Sequence, residues 1–183
     1  MINITLPDGS VKQFEKNSTA MDVAKNISEG LARNVLSAQF NGSTIETKTP
    51  LTEDGKLTLF TWNDAEGKKA FWHPSAHILA QAILFFYPNA KLTIGPAIDN
   101  GFYYDVDFEG EAMTEADFKK IEDKMLELAR LGNEYKRTEV SKADAISYFK
   151  EKDDEYKLDL LEGLEDGQIT FYQQGNFTDL CRG

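Results

Sequence analysis

The 183-residue chain has one cysteine, two histidines and five prolines, and its apolar runs are short. A single thiol, Cys181, excludes an internal disulfide. The longest apolar runs, such as Ile83-Leu84-Phe85-Phe86, fall far below the ~20 residues that a bilayer-spanning helix needs. The N-terminus also lacks a basic-then-apolar export pattern. No membrane is therefore expected, and the chain reads as soluble and cytoplasmic. Cations are scarce as well: 20 Lys+Arg face 31 Asp+Glu, for a formal net charge of −11. The imbalance is uneven, with −1 over residues 1–62 and −10 over residues 63–183. Affinity for a phosphate backbone comes mainly from Lys and Arg displacing counterions, so this acidity runs against unassisted nucleic-acid binding. With 41% apolar residues the chain can bury a core, and its length allows one domain or two small ones.

The pattern of residues favours two units. Ile2, Ile4 and Leu6 alternate with polar residues, and Pro7-Asp8-Gly9-Ser10 turns the chain into a second strand at Val11–Phe14. Thr19 and Asp22 have capping-box spacing ahead of a helix with Met21, Val23, Ala24 and Ile27 on one stripe, stopping near Gly30. Strands follow at 35–40, 44–45 and 57–60 after turn signals at Asn41-Gly42 and Asp54-Gly55. The order ββαβββ predicts a small β-grasp (ubiquitin-like) unit over residues 1–61. The polar segment 63–69 reads as a linker, and residues 62–183 as an α+β domain with a mainly antiparallel sheet. In that domain a buried helix is expected from Pro74, favourable in a first turn, to Tyr87. A strand is expected over 101–107, a helix capped by Thr114, a strand at 135–140, a short helix after Ser141 and two last strands at 168–172 and 177–181.

Few residues can carry chemistry, and they cluster. His73 and His77 stand four apart near the start of the expected helix, hence on one face one turn apart. Such a pair suits a zinc ion or a shared hydrolytic water, but Pro-Ser-Ala between them lacks the glutamate of a metalloprotease motif. Packed or surface histidines are the plainer alternative. Asp179 and Cys181 are two apart on the last strand and so share a face; Cys181 as a small buried hydrophobe and Asp179 as a turn or edge residue is the plainer reading. Lys157 lies in the acidic stretch 151–166, which alone reads as a solvated face. Phe102-Tyr103-Tyr104 reads as strand packing, with tyrosine hydroxyls able to orient a polar substrate.

Taken together, three segments resemble bacterial-type threonyl-tRNA synthetases: His73-Pro-Ser-Ala-His77, Ile94 through Asp105 (Ile-Gly-Pro-Ala-Ile-Asp-Asn-Gly-Phe-Tyr-Tyr-Asp), and Asp179-Leu-Cys-Arg-Gly183. The resemblance covers the whole chain. It implies an N-terminal TGS domain of β-grasp fold followed by the domain that edits mischarged tRNA. That family ligates threonine to tRNA(Thr) with ATP. Serine differs from threonine by one methyl, worth only about 1–3 kcal/mol in a binding pocket, so a second, hydrolytic sieve is needed. By resemblance, His73, His77 and Cys181 form the catalytic group acting on the seryl ester, with His73 beside the ester and terminal ribose. Asp179, Lys157, Tyr104 and Gly95 bind the substrate, Asp179 through the serine amine or hydroxyl and Gly95 by allowing close backbone approach.

The resemblance also sets expectations for cofactors and partners. The partner is the acceptor end of tRNA(Thr) carrying serine, together with catalytic and anticodon-binding domains of the same polypeptide, in a parent enzyme that is a homodimer. ATP, magnesium and zinc belong to those other domains, and no cofactor or metal is expected in this region. In the family a histidine falls four residues after the cysteine, whereas this sequence ends at Gly183; the chain is therefore expected to be impaired as a deacylase and unable to aminoacylate. The alternative is a non-catalytic TGS-containing module that binds RNA or a regulatory ligand. A free-standing trans-editing protein is a third reading.

Overall fold

The computed structural model describes residues 1–182. The chain divides into two compact units, one comprising Met1–Pro74 with Ala97–Gly101 and the other Ser75–Pro96 with the chain from Phe102 onward.

The first unit contains β1 (Ile2–Thr5), β2 (Val11–Phe14), α1 (Ala20–Ile27), α2 (Glu29–Asn34), β3 (Val35–Phe40), β4 (Ser43–Ile45) and β5 (Gly55–Thr61). They form a five-stranded sheet in the order β2-β1-β5-β3-β4. Pairing is antiparallel throughout except for β1 with β5. Ile2, Ile4, Phe14, Val23, Leu51 and Leu57 are buried between sheet and helix, the β-grasp arrangement expected from the order of elements. The capping box at Thr19 is present: its Oγ1 accepts from the Asp22 amide at 3.2 Å, and its own amide donates to the Asp22 carboxylate at 2.9 Å. The expected end at Gly30 is corrected by Ser28, which closes α1 and caps α2, its Oγ accepting from the Leu31 amide at 3.0 Å. Gly30 therefore lies inside a second short helix.

Another correction concerns α3, which runs over Ala65–Phe86 with Pro74 in its interior. The segment read as a linker is its first turn. Asp64 nucleates it by accepting from the Thr61 amide and hydroxyl at 2.7 and 3.0 Å, while its own carbonyl accepts from the Lys68 amide. Gly67 is what lets this turn close, because an added Cβ would stand 1.9 Å from the Thr61 carbonyl oxygen. Polar composition hid the helix because its start is fixed by these backbone contacts and not by an apolar stripe.

After α3 the chain continues through β6 (Lys91–Leu92), β7 (Ala97–Ile98, in the first unit), β8 (Gly101–Phe102, at the boundary of the units) and then, all in the second unit, β9 (Val106–Asp107), α4 (Glu115–Arg130), β10 (Tyr135–Glu139), α5 (Lys142–Glu151), α6 (Glu155–Glu162), β11 (Ile169–Gln174) and β12 (Phe177–Arg182). The single strand expected over 101–107 is broken into β8 and β9, and Asp105 between them bonds backbone to backbone with Thr93 and Ile94. β10, β11 and β12 form an antiparallel sheet. One face of β11 and β12 places Ile169, Phe171 and Leu180 against Ala145, Phe149 and Leu161 of α5 and α6. α3 is less completely buried than expected. Ala80, Ala82 and Ile83 are enclosed, but Phe85 is 61% exposed, with the Lys124 ammonium 3.7 Å from its ring centroid. That cation is a favourable neighbour for an aromatic face left in water. Among the described residues no helix is long and apolar enough to cross a membrane.

Gly67→Ala separates propensity from geometry. Helix propensity alone favours alanine by roughly 1 kcal/mol, whereas the clash with Thr61 predicts a net loss of stability. Urea unfolding followed by circular dichroism should show a lower midpoint for the variant; an unchanged or raised midpoint would contradict the contact.

Candidate functional site

The other face of the β11–β12 hairpin is polar where a core would be apolar. Strand alternation puts Thr170 and Tyr172 of β11, and Phe177, Asp179 and Cys181 of β12, on this side, with Thr170 opposite Cys181 and Tyr172 opposite Asp179. The C-terminal part of α3 packs here, Ala80 contributing to a cluster with Leu92 and Phe177. Alanine at that position permits a close helix approach that larger side chains would prevent.

Asp179 is 2% exposed and its carboxylate is saturated. Oδ2 accepts from His77 Nδ1–H at 3.0 Å and from the Tyr104 hydroxyl. Oδ1 accepts from the Lys157 ammonium and from the Leu180 amide, each at 2.8 Å. Four donors match the four lone-pair sites that a carboxylate offers. Lys157, also 2% exposed, is equally satisfied: its three N–H groups reach Asp179, the Thr93 carbonyl at 2.9 Å and the Tyr104 oxygen at 3.3 Å. A charge pair this deep is tolerated only when such hydrogen bonds complete it.

Electrostatics follow from that packing. Burial alone pushes the Asp179 carboxyl up, but the His77 hydrogen bond and the Lys157 charge outweigh it and hold the group well below the usual carboxylate range. Burial, then the adjacent Asp179 charge, pushes the Tyr104 phenol above its ordinary value, so it remains a donor. Because an ionised carboxylate only accepts, Nδ1 of His77 carries a proton and donates it in the hydrogen bond to Asp179.

His77, Asp179, Lys157 and Tyr104, four of the residues singled out in the sequence, thus meet in one network. Cys181 lies two residues beyond Asp179 on the same face, 9% exposed, its carbonyl accepting from the Thr170 hydroxyl at 2.9 Å. His73 is one turn before His77 on α3. His73, His77 and Cys181 are the described group of a kind that could hold a metal ion; two imidazoles and a thiol are ligands zinc accepts, one short of a closed tetrahedral set. The close neighbour of Gly95 is the Tyr104 ring, which an added Cβ would meet at 2.3 Å.

Two readings from the sequence are corrected by burial. Lys157 belongs to no solvated face: Asp154 caps α6, accepting from the Lys157 amide at 3.1 Å, and turns that lysine inward. Asp179 does lie on an edge strand, β12, but there it is an enclosed counter-ion and not a solvated side chain. Tyr172, whose ring stacks on His77 with centroids 6.0 Å apart and planes 14° apart, was not singled out; its position seven residues before Asp179 across a tight hairpin was the available signal.

Comparison with known proteins agrees with this architecture. Residues 2–61 match the family described as TGS domain, so the N-terminal β-grasp unit is a TGS domain. Over all 183 residues the chain is 62% identical to a threonine–tRNA ligase of Flavobacterium johnsoniae, 60% to one of Flavobacterium psychrophilum and 59% to one of Cytophaga hutchinsonii. The whole chain is covered in each case, and it spans 28% of the length of these relatives. Its homologues are therefore threonyl-tRNA synthetases, matched over their N-terminal region.

Asp179→Asn keeps the shape of the side chain and removes its charge, leaving Lys157 buried without a counter-ion. Breaking such a pair costs about 3–5 kcal/mol, to be read by urea unfolding at pH 7. The lowered carboxyl stabilises the fold fully above the unfolded carboxylate value near ~4, and this contribution is lost as pH falls through the lower folded value. The gap between wild type and variant should therefore narrow below pH ~4. A gap that is absent at pH 7, or that does not change in acid, would contradict the network.

Proposed function

We propose that this chain is the editing region of a threonine–tRNA ligase and that it hydrolyses the ester of seryl-tRNA(Thr). The observation that carries the reading is the buried hydrogen bond from His77 Nδ1–H to Asp179, which orients an imidazole and sets its tautomer as hydrolytic chemistry requires. Similarity over the whole of this chain to the N-terminal 28% of threonine–tRNA ligases supports the substrate class.

In this reading a water attacks the ester carbonyl carbon while the Nε2 lone pair of His77 takes its proton. The carbonyl–ribose oxygen bond breaks, the departing ribose oxygen takes up a proton, and free serine and the terminal hydroxyl of the tRNA result. His73 lies beside the ester and positions the water, and Cys181 completes the wall of the site. General acid–base assistance of this kind contributes typically 10²–10⁴-fold. Asp179 has no spare lone pair, so a serine ammonium reaches it by replacing the Tyr104 hydroxyl at Oδ2, which keeps the donor count at four. Lys157 holds the other oxygen. Gly95 keeps room for the Tyr104 ring to move. Threonine is refused because its additional methyl needs space that serine leaves empty. The ligase as a whole charges tRNA(Thr) with threonine at the expense of ATP and works as a homodimer; those steps belong to its other domains.

Water is activated here by imidazole, without a resident zinc and without an acyl-cysteine. The test is deacylation of seryl-tRNA(Thr) by this chain, by His73→Ala and by His77→Ala, with threonyl-tRNA(Thr) as the control substrate. The expected result is serine-specific release that falls at least ~10²-fold in either variant and survives treatment with a chelator. Equal rates for wild type and both variants, a trapped serine thioester on Cys181, or stoichiometric zinc required for activity would each contradict the scheme.

A further inference from the structure

The buried His77 ring is held at Nδ1 by its hydrogen bond to Asp179. The structure supplies a second restraint. Tyr172 on β11 is paired directly with Asp179 on β12, so the two side chains rise from the same face as cross-strand neighbours. The Tyr172 ring lies nearly parallel to the imidazole, 14° from coplanar and 6.0 Å between centroids, within the range of offset aromatic stacking. Asp179 thus holds the edge of the ring and Tyr172 its face, and both constraints come from one pair of residues in the hairpin.

We infer that Tyr172 is a positioning residue of the hydrolytic site: stacked on His77, it fixes the plane of the imidazole so that Nε2 is aimed before substrate arrives. This rests on the reading of His77 as the proton acceptor. The aromatic face does the positioning, so phenylalanine should replace tyrosine and an aliphatic side chain should not.

Two histidines in the whole chain make the test direct. Nitrogen-15 imidazole spectra of the 183-residue protein, assigned with His73→Gln, report the tautomer of His77. Wild type and Tyr172→Phe should show His77 in a single form protonated at Nδ1. Tyr172→Leu should keep that tautomer, which the Asp179 carboxylate sets, but show a broadened Nδ1–H resonance that exchanges faster with water while the backbone amide spectrum stays folded, and Tyr172→Met serves if leucine disrupts the hairpin. With seryl-tRNA(Thr), Tyr172→Leu should lower kcat about tenfold, a part of the ~10²-fold that a 1 Å misplacement of a reacting group can cost, while KM changes by less than about twofold. Tyr172→Phe should restore kcat. An Nδ1–H resonance as sharp and as slowly exchanging as in wild type, with wild-type kcat, in the folded aliphatic variants would overturn the inference. Faster Nδ1–H exchange in those variants, with no deacylation by the wild type, would uphold the positioning role and defeat the proposed function instead.

Discussion

Enclosing a carboxylate away from water is among the more costly things a small protein can do, and at Asp179 the cost is met by donors alone. His77, Tyr104, Lys157 and the Leu180 amide take its four acceptor positions. Each donor comes from a different part of the second unit: α3, the segment between β8 and β9, α6, and β12 itself. The carboxylate therefore ties together four separate parts of the chain beside the apolar cluster of Ala80, Leu92 and Phe177. Remove it and Lys157 becomes a buried charge without compensation, His77 loses its orientation and Tyr104 its acceptor.

The hairpin β11–β12 makes this possible because it works on both faces. Ile169, Phe171 and Leu180 point one way and join the apolar cluster with α5 and α6. Thr170, Asp179 and Cys181 point the other way and are buried as well. A strand register with no freedom to slip results, since a shift of one residue would drive Asp179 into the α5–α6 core and Leu180 into the polar face. Fold specificity and site geometry are thus the same constraint, enforced by period-two alternation over six residues of β12.

Much of this was legible from residue types. Alternation at Ile2, Ile4 and Leu6, the capping boxes at Thr19 and Thr114, and the punctuation at Asn41-Gly42 located elements whose signals are local. Asp179 and Cys181 declared a common face by their spacing. What escaped detection depended on tertiary context. The first turn of α3 is set by Asp64 and by Gly67 lying on the Thr61 carbonyl, a contact that no periodicity reveals. α6 was hidden by the acidity of residues 151–166, although Asp154 at its cap and Leu158, Leu161 and Leu164 at helical spacing were present. Lys157 illustrates the limit best: flanked by acids it looks solvated, and only the cap at Asp154 and the distant carboxylate of Asp179 draw it inward.

The account makes His77, held by Asp179, the group that faces the scissile ester. The most direct check is a crystal structure of the chain with a non-hydrolysable amide of serine joined to the terminal 3′-amino-adenosine. The account predicts the carbonyl carbon within one water of His77 Nε2 and the serine side chain enclosed, with the Asp179 carboxylate still accepting from His77. An analogue bound away from this histidine, or one that leaves the His77–Asp179 hydrogen bond broken, would contradict it.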